Sequence, residues 1–120
     1  MSDTSIIDQE AFGTLYESTG GDPSFLDELM EAYFTDTPQL FADLRSSLAA
    51  GNSADFRRAA HSLKSNSANF GARDLAALSK EMEDMGKVGN LAGAEDKIAL
   101  AETEYIRVKQ ALEQKRAELG

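Results

Sequence analysis

The sequence contains no cysteine. That absence removes a disulfide framework, a thiolate metal site and a cysteine nucleophile together, and it fits a reducing, cytoplasmic setting. Long apolar runs are also missing: nowhere do about 18 such residues follow one another, as a membrane-spanning helix requires. The opening MSDTSIIDQE lacks the basic and apolar regions of a secretory signal, so neither secretion by that route nor membrane insertion is expected. Cations are outnumbered, 12 Lys and Arg against 21 Asp and Glu, giving a formal net charge of −9. A surface that acidic repels phosphate backbones and anionic lipids, which argues against nucleic acid and membranes as partners. β-branched residues are sparse and no segment alternates, so strand signals are nearly absent. Histidine occurs once, at position 61.

What is present reads as an all-α chain. With 120 residues and no long Pro/Gly/Ser stretch, one domain spanning residues 1–120 is expected, its bundle core at about 22–118, standing alone as a monomer. Hydrophobic residues make up 42% of the sequence, enough to form a core. A short first helix starts at Asp8, which can cap it, buries Phe12, Leu15 and Tyr16, and ends at Gly20 and Gly21. Asp22 before Pro23 marks the next start. Leu26, Met30, Tyr33, Thr37, Leu40, Leu44 and Leu48 then recur at three- and four-residue steps as one long amphipathic helix. Pro38 inside it predicts a kink or break near residues 35–37. Gly51 ends this helix, Asn52 or Ser53 caps the following one, and Gly71 stops that one after Phe70. A fourth helix carries the stripe Leu75, Leu78, Met82 and Met85, closed by Gly86 and Gly89. The last segment shows the seam Leu91, Ala94, Ile98, Ala101, Tyr105, Val108 and Leu112. An antiparallel four-helix bundle with a short additional N-terminal helix results.

The third helix holds the candidate chemistry. At 100° per residue Phe56, Ala60, Leu63, Ser67 and Phe70 share one arc, the face turned inward, while His61 projects about 160° from Leu63 and faces solvent. Residues three and four away share its surface: Arg57, Arg58, Lys64 and Ser65. Three cations around a neutral nucleophile can hold an anion, and the small Ser65 and Ala68 leave room for a partner to approach. A metal site is disfavoured, because one histidine without cysteine would need carboxylates and none lies three or four positions away on this helix.

The stretch Ala60-His61-Ser62-Leu63-Lys64-Ser65-Asn66-Ser67-Ala68-Asn69-Phe70-Gly71-Ala72 resembles the signature of histidine-containing phosphotransfer (HPt) domains. The Asp22-Pro23-x-Phe25 opening and the run through Met85-Gly86-Lys87 extend the likeness over about residues 8 to 115. Ser65 stands where glycine is commonest in the family, and its small side chain still leaves room for a partner. The resemblance implies a phosphorelay intermediate in two-component signal transduction. Its phosphoacceptor would be His61, charged by a receiver-domain aspartate or a hybrid histidine kinase and discharged to another receiver aspartate. It implies no intrinsic cofactor, Mg²⁺ being supplied by the receiver, and no ATP-binding or autokinase activity, since the chain has no Gly-rich nucleotide loop.

Residue by residue, the resemblance makes Lys64 the cation that neutralises phosphoryl oxygens. Glu83 falls where the family often has a glutamine or glutamate that hydrogen-bonds the inner imidazole nitrogen. From the helix spacing alone, Glu83 is equally an ion-pair partner of Lys80 or Lys87. Arg57 and Arg58 either meet the phosphoryl, or meet the acidic rim of a receiver, or stay solvated. Together with Ser65, Ala68 and Lys87 they form the candidate partner surface. The competing reading is a non-catalytic helical adaptor or protein-interaction module, which predicts loss of His61 or Lys64; both are present.

Overall fold

The computed structural model describes residues 6–119; residues 1–5 of the opening segment and residue 120, the ends of the expected 1–120 domain, lie outside the described residues. Among the described residues there are five helices and no strand: α1 (Gln9–Ser18), α2 (Pro23–Ala50), α3 (Ser53–Asn69), α4 (Arg73–Val88) and α5 (Ala94–Leu119). Short polar side chains start the first three. Asp8 accepts from the Glu10 amide, Asp22 from Ser24, and Asn52 from Asp55, each satisfying a donor that the first helical turn leaves free. Pro23 takes the first helical position of α2, where its missing N–H costs nothing.

Each long helix packs on two neighbours, α2 on α3, α3 on α4, α4 on α5 and α5 back on α2, which closes a four-helix ring. The short connections between consecutive helices leave neighbours antiparallel. The centre is filled by Leu26, Met30, Leu44, Phe56, Leu63, Leu75, Met82, Ile98, Val108 and Leu112, all fully buried. Each such side chain stabilises the fold by about 1.5–3 kcal/mol relative to exposure. At one end Tyr33 packs against Phe70 in a tilted arrangement at 4.9 Å and edge-to-face against Tyr105 at 5.7 Å, while its hydroxyl meets Ser67 Oγ at 2.8 Å. Burial pushes the Tyr33 hydroxyl well above its ordinary pKa, so it stays a neutral hydrogen-bonding group.

Four details depart from the sequence reading. Pro38 does not break α2, which runs without interruption from Pro23 to Ala50. An interior proline costs about 3 kcal/mol, and the buried Leu26, Met30 and Tyr33 before it and Phe41 and Leu44 after it outweigh that by several-fold. Second, Phe41 and Ser47 are buried in α2, whereas Leu40 and Leu48 are only partly so. The inward stripe drifts around a long helix because 3.6 residues per turn does not match the alternation of threes and fours. Third, Gly86 does not close α4; it is a buried interior residue, and Gly89 in the left-handed conformation makes the end. Fourth, Leu91 belongs to the α4–α5 connection and packs on the core from there.

Candidate functional site

His61 is the ninth of the seventeen residues of α3, midway between its ends. The face opposite it, Phe56, Ala60, Leu63 and Ser67, is buried. The imidazole is consequently left outside, 58% exposed. Its position depends on what α4 brings beside it.

The turn between α3 and α4 is pinned from the N-terminal side. Gly71 adopts a left-handed conformation at φ +81°, its carbonyl accepts from the Asp8 amide at 2.7 Å, and a Cβ here would meet the Asp8 carbonyl oxygen at 2.7 Å. Glycine is required on both counts. With α4 folded back along α3, Met82 enters the core and the next residue, Glu83, falls on the flank facing α3. Its carboxylate spans two groups of that helix. Oε2 lies 2.7 Å from His61 Nδ1, and Oε1 lies 2.7 Å from Lys64 Nζ.

The Lys64 ammonium, followed by the hydrogen bond from His61, holds the Glu83 carboxyl below the usual glutamate range, while partial burial works the other way. Glu83 is thus ionised at neutral pH and can only accept hydrogen bonds. A neutral His61 must then carry its proton on Nδ1 and donate it to Glu83, which leaves the Nε2 lone pair free. The arrangement provides an exposed, oriented nucleophilic nitrogen with a cation, Lys64, one helical turn away.

His61, Lys64 and Glu83 therefore meet. The ion-pair alternatives for Glu83 do not form: Lys80 pairs with Asp84 at 3.5 Å, and Lys87 is exposed in the last turn of α4. Arg58 turns to Asp55 at 2.6 Å, beside a depression between α2 and α3 lined by Asp43, Asn52 and Ser62. Arg57 is exposed and its backbone lies against Gly86. On the other side of His61, Ser65 and Ala68 line a shallow depression of about 570 Å³ together with Lys64, Ala76, Ala77 and Lys80. In the sequence Lys80 stands out only as a neighbour of Glu83, and Ala76 and Ala77 carry no signal that they line this depression.

A helical bundle that displays one oriented histidine on a solvent-facing helix has the form that the resemblance to phosphotransfer domains implies. The family model of the Hpt domain matches residues 28–118, and the chain belongs to that family. It resembles the crystal structure of histidine-containing phosphotransfer protein B (HptB) from Pseudomonas aeruginosa PAO1, with 29% sequence identity, 94% of this chain and 96% of that chain covered, and a TM-score of 0.83. No sequence among the curated proteins matches it. The protein is a phosphorelay intermediate of two-component signalling, a class whose members interact with receiver domains and kinases. Among the described residues no helix is long and apolar enough to cross a membrane.

Proposed function

We propose that His61 is the phosphoacceptor of this Hpt domain, with Glu83 orienting its ring and Lys64 neutralising the incoming phosphoryl group. The observation that carries the reading is the single carboxylate shared by His61 Nδ1 and Lys64 Nζ, 2.7 Å from each. In this scheme the Nε2 lone pair attacks the phosphorus of a receiver's aspartyl phosphate. The N–P bond forms, the P–O bond to the aspartate breaks, and the aspartate leaves as a carboxylate. No proton has to leave Nε2, because the ring's proton already sits on Nδ1. The phosphorylated ring becomes cationic, and the Glu83 carboxylate on its other nitrogen stabilises that charge. Lys64 moves from Glu83 towards the phosphoryl oxygens. The second receiver reverses the sequence.

Positioning and charge carry most of phosphoryl transfer. The Mg²⁺ that assists it comes with the receiver, and this chain contributes no cofactor. Its partners are response-regulator receivers or a hybrid histidine kinase, met on the face formed by Ser65, Ala68 and the α4 residues beside them, with Arg57, Arg58 and Lys87 at the rim. The domain acts as a cytoplasmic monomer over residues 1–120. To test this, the full chain is mixed with a receiver charged by a small phosphodonor. Wild type should gain a phosphoryl group that is acid-labile and base-stable, and His61→Gln should gain none while its stability changes by only about 0.5 kcal/mol. Acceptance retained in His61→Gln would move the site elsewhere.

A further inference from the structure

Seven of the eight described glycines have an evident local reason or none. Six lie at turns with positive φ, and Gly13, inside α1, has open space around it. Gly86 is different. It sits within α4 without a positive φ, so its conformation does not ask for glycine, and glycine weakens a helix interior. Its surroundings do ask for it. A Cβ at this position would lie 2.8 Å from the Arg57 amide nitrogen, 2.9 Å from Arg57 Cα and 2.8 Å from Arg57 Cβ. Two of these are backbone atoms, which no rotamer change can move aside.

Gly86 follows Glu83 by three residues, and Arg57 precedes His61 by four. In an antiparallel pair these steps run the same way, so the Gly86–Arg57 contact lies one turn along the helix pair from the Glu83–His61 contact. We infer that Gly86 is a positioning residue, whose close approach to the Arg57 backbone sets the α3–α4 separation at which Glu83 can hold His61 and Lys64 together. The inference rests on the proposed role of the His61–Glu83 pair. Carbon atoms in contact need about 3.5 Å, so an alanine would force the helices apart by roughly 0.7 Å at this point. The same displacement added to the 2.7 Å His61–Glu83 bond takes it beyond the ordinary range for a hydrogen bond.

The test compares Gly86→Ala with Gly13→Ala in the full chain. The first readout is the His61 tautomer, from the ¹⁵N shifts of the ring nitrogens. Wild type and Gly13→Ala should show the proton on Nδ1, and Gly86→Ala should show a mixture of both tautomers. Phosphoryl acceptance from a charged receiver should slow by about tenfold or more in Gly86→Ala, as sub-ångström to ångström displacements of reacting groups do, and stay at wild-type rate in Gly13→Ala. Glu83→Asp shortens the carboxylate's reach without touching the packing and should reproduce the tautomer change. A wild-type tautomer and wild-type acceptance in folded Gly86→Ala would overturn the inference. The wild-type chain supplies a further measurement that does not depend on the variant folding. Nuclear Overhauser contacts are expected between the Gly86 α-protons and the Arg57 amide and α-protons, and their absence would also overturn it. Failure of wild type itself to accept phosphate would sink the phosphoacceptor reading, whereas the tautomer comparison would still report on Gly86.

Discussion

Replacing Glu83 with alanine should separate orientation from stability. The substitution removes the acceptor 2.7 Å from His61 Nδ1 and the counter-charge 2.7 Å from Lys64 Nζ, and it leaves the buried stripe Leu75, Ser79 and Met82 untouched. Hydrogen bonds to a charged group contribute about 1.5–3 kcal/mol. The imidazole is 58% exposed, so water replaces part of the loss and the lower end applies. At 1.36 kcal/mol per tenfold in rate, transfer from a charged receiver should slow about tenfold. Glu83→Gln keeps an acceptor but not the charge, and a neutral bond is roughly half as strong; its loss should be about threefold. Lys64 and Glu83 are partly buried, 29% and 13% exposed, so their ion pair falls at the upper end of the about 0–1 kcal/mol that surface pairs contribute to folding, and the melting temperature of Glu83→Ala should fall by several degrees. Single-turnover transfer measured beside thermal unfolding decides the matter. If Glu83→Ala transfers at wild-type rate with the Nδ1–H tautomer intact, the carboxylate does not orient the ring and the argument from its geometry fails.

Lys64→Ala should slow transfer by at least about tenfold while circular dichroism stays unchanged; an unaltered rate would reduce Lys64 to a partner of Glu83 alone. Acid should erase the contribution of Glu83. Its folded-state pKa lies below the ordinary 4.5, so the stability it adds is present above that value and is lost as pH falls through the folded one. The gap between wild type and Glu83→Ala in urea unfolding should therefore narrow steadily as pH falls below 4.5, and a gap that stays constant on acidification would contradict this. Leu63→Ala, at a position with no exposure, should cost about 2–5 kcal/mol in the same assay. A cost below about 1 kcal/mol would mean that the face opposite His61 is not core.

The sequence by itself determined the helices and the outward direction of His61. Capping by Asp8, Asp22 and Asn52 and the stepping of apolar residues are local properties, set by backbone donors within one turn and by the 3.6-residue period. Both are written in neighbouring residues, as is the motif around His61 that carries the family resemblance. The partner of Glu83 was not decidable at that level. Lys80 and Lys87 lie within one turn of it along α4, and only the packing of α3 against α4 replaced them with His61 and Lys64, more than a dozen residues away. The continuity of α2 through Pro38 was tertiary for the same reason, since a local penalty of about 3 kcal/mol is overruled by burial on both sides that no short window contains. Gly86 shows the difference most sharply. In the sequence it reads as a helix end, because glycine is locally unfavourable within helices, yet the structure places it where the Arg57 backbone leaves no room for a side chain.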